Sequence, residues 1–308
     1  MSDTLVARLE QNLPKPKDST PEAYQGAIQR ALSTVDRELG QGNLDGGSTV
    51  TLILIDTKQG ILIHGNLGDS HVVYADLLPQ PYSPTLRSGS SGSNPTDDES
   101  SVAWSMETLS VEHDPGSPVE KKRIEEAGGE VNYETGIARI GAVSVSRGLG
   151  DLDYKIPRVN RLAGHDLSDL PGMATGLAPG RKATQDLISC QAQFEIRHLH
   201  GQSLVLLASD GVGDAEAAKV VTKLAVDRWM QGVPAALIAE ELTKREGRET
   251  GADNCTVLVV AIDTEKKKRR RQRSDSMRGS VEIPNIDGSG TRHRRRSSLS
   301  RLADWILD

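Results

Sequence analysis

Leu204-Val205-Leu206-Leu207-Ala208-Ser209-Asp210-Gly211-Val212-Gly213-Asp214 is the stretch whose reading decides the fold. Its aliphatic run reads as a buried strand that stops abruptly at Ser-Asp-Gly, and Asp214 stands just before an Ala-rich segment that reads as a helix over 215–230. A carboxylate at a strand end is held rigidly and faces a rim, which suits a metal ligand. Asp210 therefore has two readings, ligand or ordinary turn residue, and Asp214 reads first as a helix N-cap. Gly251-Ala252-Asp253-Asn254 repeats the arrangement, with a carboxylate and an amide at the mouth of the apolar strand 256–263.

Outward from there the chain alternates short strands and grouped helices. Ser19-Thr20-Pro21-Glu22 opens a helix, and Ala27, Ala31, Val35 and Leu39, with Ile28 and Leu32, line one helical stripe. Strands follow at 49–56, 61–66 and 72–74, separated by Lys58-Gln59-Gly60 and by Gly68, and predict an antiparallel meander. Ser117-Pro118-Val119-Glu120 reads as a capping box before a short helix ending at Gly128-Gly129. Residues 130–145 read as a hairpin around Thr135-Gly136, residues 193–199 and 203–209 as strands, and residues 234–245 as a second helix after 215–230. Hairpins with grouped helices predict an α+β sandwich rather than a parallel doubly wound sheet.

Two segments stand outside this pattern. Residues 78–102 are rich in Ser, Gly, Pro and Asp and lack periodicity, as expected of a disordered insertion within the domain 1–264. Residues 158–186 are Gly/Pro-rich and read as a long surface excursion. The tail 265–308 is basic and low in complexity, expected to be disordered, and carries a net charge of +7 against −13 for residues 1–264. An acidic body suits divalent cations; a basic tail suits an import receptor, an acidic partner or a membrane surface. Arg271-Gln272-Arg273-Ser274 and Arg294-Arg295-Arg296-Ser297-Ser298 in that tail resemble basophilic kinase sites.

Several classes are excluded. The formal net charge of −6 argues against a dedicated nucleic-acid binder, and no apolar run reaches the ~18 residues of a membrane span. No signal-peptide core opens the chain, and Cys190 and Cys255 form neither a disulfide scaffold nor a zinc motif. The expectation is a cytoplasmic or nuclear protein with two packed thiols. No Gly-x-Ser-x-Gly elbow or P-loop competes with the carboxylates, and no catalytic residue is singled out. Mg²⁺ or Mn²⁺ needs few protein carboxylates because it retains water, so Asp210 and Asp253 on separate loops suffice as a starting set.

In order along the chain, these pieces resemble the type 2C, metal-dependent Ser/Thr protein phosphatases. The residues that carry the resemblance are Gly47-Ser48-Thr49-Val50, Asn66-Leu67-Gly68-Asp69-Ser70-His71, and Leu109-Ser110-Val111-Glu112-His113-Asp114-Pro115. They continue with Glu120 to Val131, then Val143-Ser144-Val145-Ser146-Arg147-Gly148-Leu149-Gly150-Asp151, residues 207–214, and Asp253-Asn254-Cys255-Thr256-Val257. The resemblance implies two packed antiparallel sheets with helices outside and hydrolysis of phosphoserine or phosphothreonine in a phosphoprotein partner by a metal-activated water. It implies Mg²⁺ or Mn²⁺ at Asp210 and Asp253, a further metal contact or supporting role for Glu112, and supporting roles for Asp214 and Asp69.

The chain also departs from the family pattern. The Asp-Gly-His-Gly-Gly motif is absent, and Ile63-His64-Gly65, in mid-strand, does not replace it. Met1 falls just beyond the place where that motif is expected, so the expectation is a domain that starts late. Two readings follow: an incomplete version of an active phosphatase, or a pseudophosphatase that binds phosphoproteins as a scaffold.

Overall fold

Aliphatic strands that cannot bury both faces alone stack here as two antiparallel sheets, seen in a computed structural model that describes residues 2–42, 46–78, 104–162, 176–247 and 254–264. Along the chain the elements are helices α1 (Ser2–Asn12) and α2 (Pro21–Gln41), then strands β1 (Gly47–Ser48), β2 (Val50–Asp56), β3 (Ile61–Leu67), β4 (His71–Leu77) and β5 (Trp104–Thr108). Helix α3 (Pro118–Glu126), strand β6 (Leu149–Gly150), the short helix α4 (Arg158–Leu162) and strands β7 (Gln193–His198) and β8 (Gln202–Ala208) follow. Helices α5 (Ala215–Met230) and α6 (Ala235–Glu246) precede the last strand, β9 (Val257–Asp263).

The first sheet runs β2-β3-β7 and the second β5-β4-β8-β9, with β1 and β6 forming a small ladder of their own. Leu62, Val72, Tyr74, Val205 and Leu207 fill the space between the sheets. Helix α2 covers the outer face of the first sheet through Tyr24, Ile28, Leu32 and Val35 against Ile61, Ile63 and Leu67. Helices α5 and α6 cover the outer face of the second sheet through Val221, Ala225, Ile238 and Leu242 against Leu204, Leu206, Val257 and Val259. The helix-on-both-faces sandwich is thus the architecture. Thr20 caps α2 by accepting from the Ala23 amide at 3.2 Å, with Pro21 in the first turn. Among the described residues no helix is long and apolar enough to cross a membrane.

The meander expected at 49–74 is corrected. β2 and β3 pair as a hairpin, but β4 belongs to the other sheet. Gly68 makes the crossing possible: its φ is +119°, and a Cβ there would stand 2.2 Å from Thr49 Cγ2. A strand at 104–108 was not foreseen, because Trp104-Ser105-Met106-Glu107-Thr108 alternates at an edge and carries few β-branched residues. Residues 130–145 form isolated bridges, Asn132 to Arg139 and Ile140 to Val143, rather than strands. The excursion at 158–186 begins with α4, and its residues 163–175 lie outside the described residues, as do 79–102 of the expected insertion and the whole segment 265–308. His64 sits buried in the middle of β3, bonded to Thr51 Oγ1 at 3.1 Å, and burial pushes its imidazole down to about 4.

The capping box at Ser117 is also corrected. The Ser117 side chain makes no cap hydrogen bond. Glu120, only 3 % exposed, turns inward instead, where Arg123 Nε donates to its Oε2 at 3.0 Å and Arg147 Nε to its Oε1 at 3.1 Å. Arg123 also donates to the carbonyls of Ser146 and Leu187 at 2.9 Å each, and Arg147 to that of Gln191 at 2.9 Å. A second buried pair, Lys155 to Asp36 at 2.6 Å, joins α2 to the segment after β6.

Burial raises the Glu120 carboxyl, and the Arg147 hydrogen bond together with the Arg123 and Arg147 charges more than offsets it, holding the group at about 2. The folded value lies below the unfolded one, so this stabilisation is full above pH ~4.5 and lost as pH falls toward 2. Glu120→Ala leaves two partly buried guanidinium groups without their buried carboxylate. We expect it to lower unfolding free energy by about 3–5 kcal/mol at neutral pH, measured by urea denaturation, with a smaller difference from the parent at pH 3.

Candidate active site at one end of the second sheet

Strand register decides where the motif residues meet. His71 at the start of β4 pairs with Ala208 at the end of β8, and Ala208 pairs with Val257 at the start of β9. Thr108 at the end of β5 pairs with Val73. The segments 68–70, 109–114, 209–214 and 254–256 therefore leave the same end of one sheet.

Hydrogen bonds fix these segments to one another. The Ser209 amide donates to the Thr256 carbonyl at 3.0 Å, its hydroxyl donates to the Asn254 carbonyl at 3.1 Å, and the Thr256 amide donates back to Ser209 Oγ at 3.0 Å. Gly211 packs so closely that a Cβ would stand 2.6 Å from the Asn254 carbonyl oxygen. On the other side, the Gly68 amide lies 3.0 Å from His113 Nδ1, and Asn66 Nδ2 bridges the carbonyls of Gly68 and Val111. Burial first, then the charge of Arg147, lowers the His113 imidazole to about 4; its Nδ1 also stands 3.0 Å from the Gly68 carbonyl oxygen, so the tautomer sets whether it accepts from the Gly68 amide or donates to that carbonyl.

His71 ties the two halves. It is 2 % exposed, its Nε2 donates to the Gly213 carbonyl at 2.8 Å, and its Nδ1 faces Glu112 Oε1 at 3.8 Å. Asp69 lies in the same field. Burial raises its carboxyl above the usual range, and the negative charge of Asp210 raises it further, with a smaller push from Glu112 and an opposing pull from His71. The fold has therefore drawn Asp210, Glu112 and His71 within electrostatic reach of Asp69.

Asp214 stands apart in role. Its Oδ1 accepts from the Ala217 amide at 2.9 Å, and the residue is the N-cap of α5, the first of its two sequence readings. Asp253 lies outside the described residues. The oxygen-rich donors here suit a hard cation such as Mg²⁺ or Mn²⁺ in kind. Among the described residues no group of three His, Cys, Asp or Glu is placed to hold a metal ion, and Asp253 lies outside them.

Comparison with known proteins bears on the whole arrangement. The family model described as Protein phosphatase 2C matches residues 3–255. The chain belongs to the protein phosphatase 2C family. Probable protein phosphatase 1N of Homo sapiens is 28% identical over 254 residues, which cover 80% of this chain and 46% of that protein. Protein phosphatase 2C 1 of Paramecium tetraurelia is 33% identical over 158 residues, covering 50% of this chain and 47% of that protein. The chain spans about half the length of the curated relatives it matches. A solved serine-threonine phosphatase 2C from Toxoplasma gondii superposes with a TM-score of 0.54 at 21% identity, over 84% of this chain and 78% of that one, which speaks for the fold.

Sequence reasoning missed His71, His113, Glu120 and Arg147 as the groups that position the protein phosphatase 2C motifs. Their motifs were visible, but each acts through a partner 27 to 142 residues away in the chain, and no local spacing encodes that. Asp214→Ala removes one cap. We expect a loss of about 1 kcal/mol in thermal or urea unfolding, with divalent-cation binding by calorimetry unchanged; a loss of cation binding would make Asp214 more than a cap.

Proposed function

We propose that this chain is a protein phosphatase that acts on phosphoserine and phosphothreonine in proteins, with the substrate reaching the end of the second sheet where Asp69, His71, Glu112 and Asp210 meet. Family membership supports the reaction class. The observation that carries the location is the strand register, which brings the segments of Asp69, Glu112 and Asp210 to one end of the second sheet, where the charge of Asp210 adds to burial in raising the Asp69 carboxyl. Such a pair favours a bound cation, which would relieve the repulsion. In this reading Asp210 and Asp253 would hold Mg²⁺ or Mn²⁺, with Glu112 as a looser contact, and the cation would supply Lewis acidity there; Asp69 and His71 would hold the loops around it.

A second reading has an observation of its own. The described residues bring no three metal donors together. On that reading the chain is a pseudophosphatase that binds phosphoproteins at the same place without hydrolysing them. In either case we propose a cytoplasmic or nuclear protein, with the basic segment 265–308 serving as an address or partner-binding tail; its net charge of +7 is the motive.

Assay of the full chain with a phosphothreonine peptide and Mn²⁺ or Mg²⁺ separates the two. The phosphatase reading expects metal-dependent phosphate release, reduced at least about 100-fold by Asp210→Asn. Peptide binding by calorimetry with no release under any metal supports the pseudophosphatase, and neither release nor binding overturns both.

A further inference from the structure

The irregular chain between α4 and β7 carries a motif that the candidate site does not use. Arg181-Lys182-Ala183-Thr184 places an arginine three residues before a threonine. The same offset recurs in the segment 265–308, where Arg271 precedes Ser274, Arg294 precedes Ser297 and Arg295 precedes Ser298. Arg181, Lys182, Thr184 and Gln185 are all exposed, and residues 178–188 form no helix or strand. A kinase cleft takes up an extended segment, and its carboxylates read a guanidinium at a fixed offset from the acceptor hydroxyl.

Thr184 also stands where a phosphate has consequences. Its amide donates to the Ala127 carbonyl at 2.9 Å, and its hydroxyl reaches the same oxygen at 3.4 Å. Ala127 is the C-cap of α3, so both donors address the negative end of that helix. Beside them Arg181 Nη1 donates to the Glu125 carbonyl at 3.1 Å, and Asn160 of α4 clamps the Ala183 amide and carbonyl at 2.7 and 2.8 Å. Just beyond, Arg123 holds the carbonyls of Asp186 and Leu187 at 3.1 and 2.9 Å.

We propose that Thr184 is a phosphorylation site for a kinase that selects arginine at the third position before its target, and that the phosphate loosens the end of α3 from residues 183–188. Thr184 Oγ1 takes the terminal phosphoryl group of ATP, ADP leaves, and the hydroxyl proton passes to the kinase's base. The side chain gains a charge of about −2 and loses its proton donor. That charge then faces the last carbonyls of α3, with Glu125 and Glu126 in the same turn and Asp186 two residues on. It is repelled there, as a phosphate at a helix C-terminus is. Arg181 is the counter-charge of the motif, and turning to the phosphate takes it off the Glu125 carbonyl. Through Arg123 the disturbance reaches Glu120.

Treating the full chain with ATP and the catalytic subunit of cyclic-AMP-dependent protein kinase, followed by peptide mass spectrometry, tests the site. A parallel reaction on Asp210→Asn keeps any hydrolysis by the chain itself from hiding the product. Phosphothreonine is expected at 184 in the folded chain, absent from Thr184→Ala, and formed at least about tenfold more slowly in Arg181→Ala. Thermal melts by circular dichroism confirm that each variant is folded. Hydrogen exchange then compares the treated chain with treated Thr184→Ala, and faster exchange is expected at 123–129 and 183–188 in the former. Phosphate confined to the serines of 265–308, or reaching Thr184 only after heat denaturation, overturns the site. Phosphate at Thr184 with unchanged exchange overturns its effect on α3.

Discussion

Glu120 is the group on which the region between the sheets' end and the later strands depends. It is a carboxylate almost without exposure, held by Arg123 from its own helix and by Arg147 from a segment far along the chain. The two guanidinium groups then reach onward to the carbonyls of Ser146, Asp186, Leu187 and Gln191. One buried charge thereby organises three irregular stretches that have almost no ladder of their own. A buried ion pair adds little net stability compared with an apolar packing of equal volume, but breaking one side of it is costly. That asymmetry makes it a device for holding irregular backbone in a single arrangement.

From that hub the constraint passes to the site. Ser146, whose carbonyl Arg123 holds, donates its amide and hydroxyl to the His113 carbonyl at 2.8 and 2.9 Å. His113 in turn holds Gly68 through its Nδ1, and Gly68 is where the chain passes from one sheet to the other. Asp69 and His71 follow at once, and His71 grips the Gly213 carbonyl beyond Asp210. The order of these contacts explains why motifs scattered over the length of the protein phosphatase 2C match converge: several are pinned by a buried imidazole or a buried carboxylate rather than by their own local turns.

Much of the fold was legible because it is written in local periodicity. The stripe of α2, the hairpin at Lys58-Gln59-Gly60, the bounds of α5 and the final strand all follow from patterns of side-chain burial within a few residues. Where local pattern and tertiary need differ, the reading failed. Glu120 three residues after Ser117 has the spacing of a capping box, but two guanidinium groups offered it more than one backbone amide did. The strands around Gly68 look like a meander because a tight turn and a sheet crossing use the same glycine. The edge strand β5 was missed since an edge needs no continuous apolar run.

By itself the sequence determined the helices α2, α5 and α6, the hairpin of β2 and β3, the strands β7, β8 and β9, and the sandwich class, because these rest on residue type and short-range spacing. Asp214 shows the limit of that information: cap or ligand could be ranked from its position before an Ala-rich helix, and the bond to Ala217 decided. Only the tertiary structure decided that β4 leaves the first sheet, that the charge of Asp210 reaches Asp69, and that Arg197 of β7 pairs with Glu107 of β5 across the two sheets. Those facts depend on strand register and on contacts between distant segments, which hydrophobic pattern alone does not encode.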